Sequence, residues 1–179
     1  MRSIIIAFIC LALCTSCAAG EPEPPARFVA LAEAVAKRSS LDPVTVKAVI
    51  EIESRWRPDV KSPAGAVGLM QIMPDTWGWV CKDLLKQSEP WAFADAADPE
   101  KNITVGCAYL AWLYEYWHTR LDHVVCDLDT AVIASYNAGQ GTVKSAKGKV
   151  SGLPAETRAY LIRYGKAKEK FRLQELDAE

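Results

Sequence analysis

Apolar residues along the chain recur at helical spacing, and the polar residues between them supply starts and stops. Phe28, Leu31 and Val35 share one face of a helix running from Phe28 to Arg38. Asp42 followed by Pro43 places a side-chain cap before a proline at the first helical position, so a second helix opens there and runs to about Ser54. Residues 57–73 are broken by Pro58, Pro63, Gly65 and Gly68 and predict a loop or short hairpin. Pro74 to about Cys81 predicts a further helix. Asp98-Pro99 repeats the cap-and-proline start. Beyond it Ile103, Cys107, Leu110, Tyr114 and Trp117 fall on one face with Leu113 beside them, which predicts a central buried helix. Asp127 to Asn137 forms another, ended by Gly139. After a basic loop, a last helix from Ala155 to about Phe171 aligns Tyr160, Leu161, Tyr164 and Phe171. No alternating run is long enough for a strand, and no internal repeat is visible. The pattern predicts one mainly α domain over residues 26–179.

The start of the chain follows a different pattern. Arg2 precedes an apolar run from Ile4 to Cys14, too short to span a bilayer, and then small residues from Thr15 to Gly20. Residues 1–20 therefore read as a signal peptide, and residues 21–25, Glu-Pro-Glu-Pro-Pro, as an extended tether. Cleavage after Ala19 or Gly20 and lipidation of Cys17 both fit, the latter because Thr15-Ser16-Cys17 resembles the end of a lipobox. Either route exports the protein to the periplasm, with outer-membrane anchoring only through Cys17.

Charge narrows the classes of partner. With 21 Lys+Arg against 22 Asp+Glu the net charge is -1, so the chain lacks the basic excess of a nucleic-acid binder. Two histidines, His118 and His123, leave little room for a Ser-His-Asp triad or a multi-histidine metal site. No cofactor or metal is expected. The charge is nonetheless uneven: Asp75 to Asp129 is strongly acidic, and Gly141 to Gln174 strongly basic. A basic C-terminal face suits either contact with an anionic polymer or ordinary solvated helix charge.

One carboxylate stands out. Val46, Val49 and Ile50 lie seven, four and three residues before Glu53, which puts Glu53 on their apolar face near the C-terminal end of its helix. Burial and the negative end of the helix dipole both raise a carboxyl pKa, as a general acid at neutral pH requires. A glutamate at the rim of the core with its head in water fits the same periodicity. Glu51, four residues after Lys47, has the spacing of a surface ion pair.

Glu53-Ser54-Arg55-Trp56-Arg57-Pro58 leads into Ser62-Pro63-Ala64-Gly65-Ala66-Val67-Gly68-Leu69-Met70-Gln71-Ile72-Met73-Pro74. Asn102-Ile103-Thr104-Val105-Gly106-Cys107-Ala108-Tyr109-Leu110, Ser135-Tyr136-Asn137-Ala138-Gly139 and Glu156-Thr157-Arg158-Ala159-Tyr160 follow in order. Together these resemble the soluble-lytic-transglycosylase-type (SLT) catalytic domain over about Leu41 to Tyr164. The resemblance implies a lysozyme-like, goose-type-like helical fold with a short loop or hairpin region lining the cleft, and bacterial peptidoglycan as substrate. It implies Glu53 as the catalytic acid/base and Ser62 as a polar residue facing the saccharide that is cleaved. Gln71 and Met70 or Met73 would line the glycan cleft. Tyr136 would hydrogen-bond the catalytic glutamate, Asn137 would share the site, and Glu156 would contact substrate. Each has a plainer reading as well. Met70 and Met73 suit a core, Tyr136 shares a face with Val132 and Ile133, and Glu156 suits a first helical turn. The family commonly has Ala where this chain has Ser135. A domain of this size resembles small lipoprotein members and the wall-openers of secretion or conjugation machines.

Between Val60 and Pro74 there is no Asp or Glu to serve as a second catalytic carboxylate. A lone acid fits substrate assistance, in which the N-acetyl group of MurNAc attacks its own anomeric carbon. The 6-hydroxyl then closes a 1,6-anhydro ring, the reaction the resemblance also implies. Water as the final nucleophile, giving a hydrolytic muramidase, stays open, as does a wall-binding assembly module without catalysis.

Export leaves Cys81, Cys107 and Cys126 in an oxidising compartment. One disulfide plus one thiol, or a zinc site of three scattered ligands, would account for them. A helix rising about 1.5 Å per residue carries the chain ~18 Å from Cys107 to its far end, whereas a bridge needs Cα atoms within about 7 Å. Cys126 lies beyond that end, so a Cys81–Cys107 disulfide with Cys126 free is expected.

Overall fold

The computed structural model describes residues 23–177. The signal peptide, Cys17 and the first part of the tether lie outside them. Among the described residues seven α-helices carry the fold: α1 Ala26–Arg38, α2 Pro43–Ser54, α3 Pro74–Trp79, α4 Pro99–His118, α5 Leu128–Ala138, α6 Gln140–Ser145 and α7 Ala155–Leu176. A π-turn at Val80–Leu84 continues α3, and a 3-10 turn at Phe93–Ala97 leads into α4. Extended pairing among the described residues is confined to isolated bridges from Val67 to Lys61 and to Ile72. Of the expected loop or short hairpin, it is a tight loop that forms. Among the described residues no helix is long and apolar enough to cross a membrane.

Both expected aspartate caps form, and Asp127 supplies a third. The Asp42, Asp98 and Asp127 side chains accept from the backbone N–H of Val44, Lys101 and Thr130 at 3.0, 2.9 and 2.9 Å. Gly139 ends α5 at φ 80°. The basic loop behind it holds α6, which periodicity misses because only Val143 of its six residues is buried.

The expectation of α4 as the central helix needs correction. Residues 44–50 of α2 and 131–137 of α5 are buried on every side, and these helices form the enclosed core. α4 buries Ile103, Cys107, Leu110, Leu113 and Trp117 but leaves Tyr109, Trp112 and Tyr116 half-exposed. Ser135, the departure from the family's alanine, is buried and accepts the Trp117 indole N–H at 2.8 Å.

The expected Glu51–Lys47 surface pair does not form. Lys47 is 4% exposed and donates to Glu33 of α1 and Glu175 of α7 at 3.0 and 2.9 Å. Burial works against its charge, but these two carboxylates outweigh it and hold its pKa above the ordinary lysine value. Glu51 instead accepts the Trp56 indole N–H at 2.6 Å and the Lys170 ammonium at 2.9 Å. Spacing within α2 could not show this, because α7 folds onto α2 from more than 100 residues away. Asp129 of α5 gathers α4 and α7 similarly, accepting from Tyr114 at 2.5 Å and Lys168 at 2.8 Å. Part of the basic charge of α7 is therefore neutralised inside the fold.

The expected disulfide is absent: Cys81, Cys107 and Cys126 are free thiols. Cys81 and Cys107 are both buried, but in different surroundings. The Cys81 thiol meets the Trp91 backbone, whereas Cys107 lies within electrostatic reach of Arg38 on α1 and of Tyr136 on α5. The loop closure inferred from the helix connection is not accompanied by a bridge between them. Among the described residues no three His, Cys, Asp or Glu side chains group to hold a metal ion.

Candidate active site

The loop between α2 and α3 is held in shape from α4. Gly68 sits at φ 87°, and a Cβ there would lie 2.3 Å from Asn102 Nδ2 and 2.4 Å from the Ala96 carbonyl oxygen. The buried Asn102 side chain uses that closeness. Its Oδ1 accepts from Met70 N–H at 2.7 Å, while Nδ2 donates to the Val67 and Ala96 carbonyls at 3.0 and 2.8 Å. Gln71, at φ 48°, holds the same turn by donating from Nε2 to the carbonyls of Val60 and Gly68, both at 2.9 Å. Ser62 closes the outer turn by accepting the Ala66 N–H on Oγ at 3.0 Å.

The shaped loop faces the end of α2 across a pocket. Glu53, Ser62, Gln71, Met73, Tyr136 and Asn137 all line it, joined by Ala64, Ala66, Ile72, Thr76 and Tyr109. Glu53 is the only carboxylate among these lining residues.

Burial pushes the Glu53 carboxyl from an ordinary 4.5 to about 7. A hydrogen bond from Tyr160 and the charge of Arg163 pull the other way, and the neighbouring charge of Glu156 adds to the rise. The Tyr160 hydroxyl donates to Glu53 Oε1 at 2.7 Å. α2 ends directly beyond the acid, with Arg55 and Trp56 both in the left-handed region at φ 51° and 62°. The chain thereby leaves the helix axis and turns into the pocket loop.

Two sequence expectations change here, at Tyr136 and Met70. Tyr136 does not hydrogen-bond Glu53; its hydroxyl donates to the Met70 carbonyl at 2.8 Å, tying α5 to the pocket loop. That place belongs to Tyr160, one turn after Glu156 on the same face of α7. The i, i+4 spacing within the last motif was the signal that could have identified it. Met70 is fully buried and is not among this pocket's lining residues, because it packs on Gly106, where a Cβ would lie 2.3 Å from its sulfur. Met73 takes the cleft position. Glu156 is not among these lining residues, and its charge adds to the rise at Glu53. Tyr109 was missed because its spacing on α4 gave no sign that this face turns toward the pocket.

The family model for the transglycosylase SLT domain matches residues 30–158. The chain belongs to that family. It is 38% identical over 108 residues to a soluble lytic murein transglycosylase of Escherichia coli, covering 59% of this chain and 15% of the relative. It is 33% identical over 129 residues to a membrane-bound lytic murein transglycosylase C of Actinobacillus pleuropneumoniae, covering 70% of this chain and 34% of the relative. The chain thus spans well under half the length of both. The crystal structure of the 70 kDa soluble lytic transglycosylase from Escherichia coli superposes with a TM-score of 0.64 at 28% identity, over 80% of this chain and 24% of that one. The SLT domain's mainly α, lysozyme-like architecture is therefore the fold of this chain.

Proposed function

We propose that this SLT domain is a lytic transglycosylase that cleaves the β-1,4 bond between MurNAc and GlcNAc in peptidoglycan and leaves a 1,6-anhydroMurNAc end. The observation that carries this reading is a single pocket carboxylate with a pKa near neutrality. At pH 7 such a group is present in both protonation states, as an acid that later serves as a base requires. Glu53 gives its proton to the departing glycosidic oxygen. The substrate's own N-acetyl oxygen bonds to the anomeric carbon as that bond breaks, the task a second carboxylate performs in two-carboxylate glycosidases. Glu53 then takes the proton of the 6-hydroxyl as its oxygen attacks the anomeric carbon and expels the N-acetyl oxygen. No water is consumed. The intramolecular closure gains from the proximity that a shaped cleft enforces.

Ser62, Gln71, Met73 and Asn137 are the residues to orient the saccharide. Tyr160 and Tyr136 act differently, the first by positioning the Glu53 carboxyl and the second by fixing the pocket loop. The setting proposed for this chemistry is the periplasm, reached through the N-terminal signal, with service to a secretion or conjugation apparatus as one use of wall opening. Mass spectrometry of products from purified sacculi tests the reaction. Anhydro ends are expected; reducing ends would replace this reading with a hydrolytic muramidase, and no products with a wall-binding module.

A further inference from the structure

We infer that Arg163 of α7 is a positioning residue for the Glu53 acid: its guanidinium holds the Tyr160 ring and so keeps the tyrosine hydroxyl on Glu53 Oε1. This inference rests on the reading of Glu53 as the acid and base of the reaction.

Spacing along α7 makes the arrangement. Glu156, Tyr160 and Arg163 stand at i, i+4 and i+7, which puts the three side chains on one face of the helix. Tyr160 is buried, and its hydroxyl reaches Glu53 at 2.7 Å. The Arg163 guanidinium lies 5.7 Å from the centre of the Tyr160 ring, within the range at which a cation is attracted to an aromatic face. Arg163 is itself half-buried. The tyrosine is thus engaged at its tip by the carboxyl and along its ring by the cation.

The other cations of α7 separate this contact from ordinary side-chain packing. Lys168 and Lys170 also stand near rings, Tyr164 at 5.4 Å and Phe171 at 5.6 Å. Their ammonium groups, however, end on the Asp129 and Glu51 carboxylates at 2.8 and 2.9 Å. Arg158 donates to the Leu153 carbonyl. Among the described hydrogen bonds and ion pairs none involves Arg163. No carboxylate draws its guanidinium elsewhere, and the contact that places it is the Tyr160 ring.

Charge gives the contact a second effect. Glu53 feels Tyr160, Arg163 and Glu156 from α7, and its own charge is felt by Tyr136 of α5. The pocket loop contributes the uncharged Ser62 and Gln71, and α4 the hydroxyl of Tyr109. Of these groups Arg163 supplies the positive charge. It favours the carboxylate once the proton has gone to the glycosidic oxygen, and so preserves the base that must collect the 6-hydroxyl proton. Glu156 acts in the opposite sense.

Steady-state kinetics on soluble, uncrosslinked peptidoglycan strands, with melting temperature as the control for folding, tests this. Arg163→Met keeps the length of the side chain and removes the cation. It is expected to lower kcat about tenfold with KM within about twofold of wild type, and to move the alkaline limb of the kcat/KM–pH profile to higher pH. Arg163→Lys should return the limb to its wild-type place and recover part of kcat. In the Tyr160→Phe background Arg163→Met should cost little further kcat, because the hydroxyl it serves is gone. If Arg163→Met does not fold, Arg163→Gln takes its place. Wild-type kcat and an unshifted limb in a folded variant, or the same kcat loss with and without the Tyr160 hydroxyl, overturns the positioning role alone. Lysis by Glu53→Gln overturns the reading of Glu53 as the acid, and this inference with it.

Discussion

The hydroxyl of Tyr160 donates to Oε1 of Glu53 at 2.7 Å, across 107 residues of sequence. One end of α7 thereby sets the electrostatics of the acid at the end of α2. The bond stabilises the carboxylate and so opposes the rise that burial imposes. Tyr160→Phe should therefore move the Glu53 pKa further up. The alkaline limb of the kcat/KM–pH profile is expected to shift to higher pH while kcat falls through poorer positioning. An unshifted limb would mean that the tyrosine only packs.

Glu53→Gln should abolish lysis, because an amide keeps the shape but cannot deliver the proton. It should also change how stability depends on pH. Below about 4.5 the carboxyl is protonated in folded and unfolded chains alike. Between 4.5 and about 7 the unfolded chain loses its proton first, so wild-type stability falls as pH rises, and the loss is complete above the folded value. The loss is on the order of 2 kcal/mol, less than the full shift implies, because Glu53 keeps an opening to the pocket. Thermal melts from pH 4 to 9 should show that slope in wild type and a flatter one in Glu53→Gln.

The Asn102 anchor is a stability and activity determinant away from the chemistry. Asn102→Ala leaves the buried Met70 N–H without its acceptor and removes the donors to the Val67 carbonyl of the loop and the Ala96 carbonyl before α4, costing about 3 kcal/mol. Gly68→Ala meets both the left-handed φ and the 2.3 Å approach to Asn102, and should cost at least as much. Denaturant midpoints measure both, and lysis should fall with them because the pocket loop loosens.

Glu51, which spacing alone would make an expendable surface charge, should matter. Glu51→Ala strands the indole N–H of the buried Trp56 and costs about 1–3 kcal/mol. Glu51→Gln should cost less, since its amide oxygen still accepts from the indole. Equal stability of Glu51→Ala and wild type would show that water reaches Trp56 easily.

Thiol reactivity checks the cysteines. Burial pushes Cys107 up to about 12 and also raises Cys81, so neither is expected to react with a thiol reagent in native protein, while half-buried Cys126 reacts slowly. Denaturation without reductant should release three thiols; release of one would restore the disulfide.

The sequence by itself determined the helices and their starts, because aspartate caps, proline at the first position and apolar spacing act within a few residues. It also marked Glu53, since Val46, Val49 and Ile50 fix the face on which Glu53 lies whatever packs there. The order of the motifs made the family legible. Tertiary structure alone decided which side chains meet across α7 and the pocket loop: Tyr160 rather than Tyr136 on Glu53, Lys170 rather than Lys47 on Glu51, Met73 rather than Met70 at the cleft. It also decided that the two buried cysteines stay unbridged. Each of these depends on the rotation and register of one helix against another. Those are set by the summed packing of whole surfaces, which no local spacing encodes.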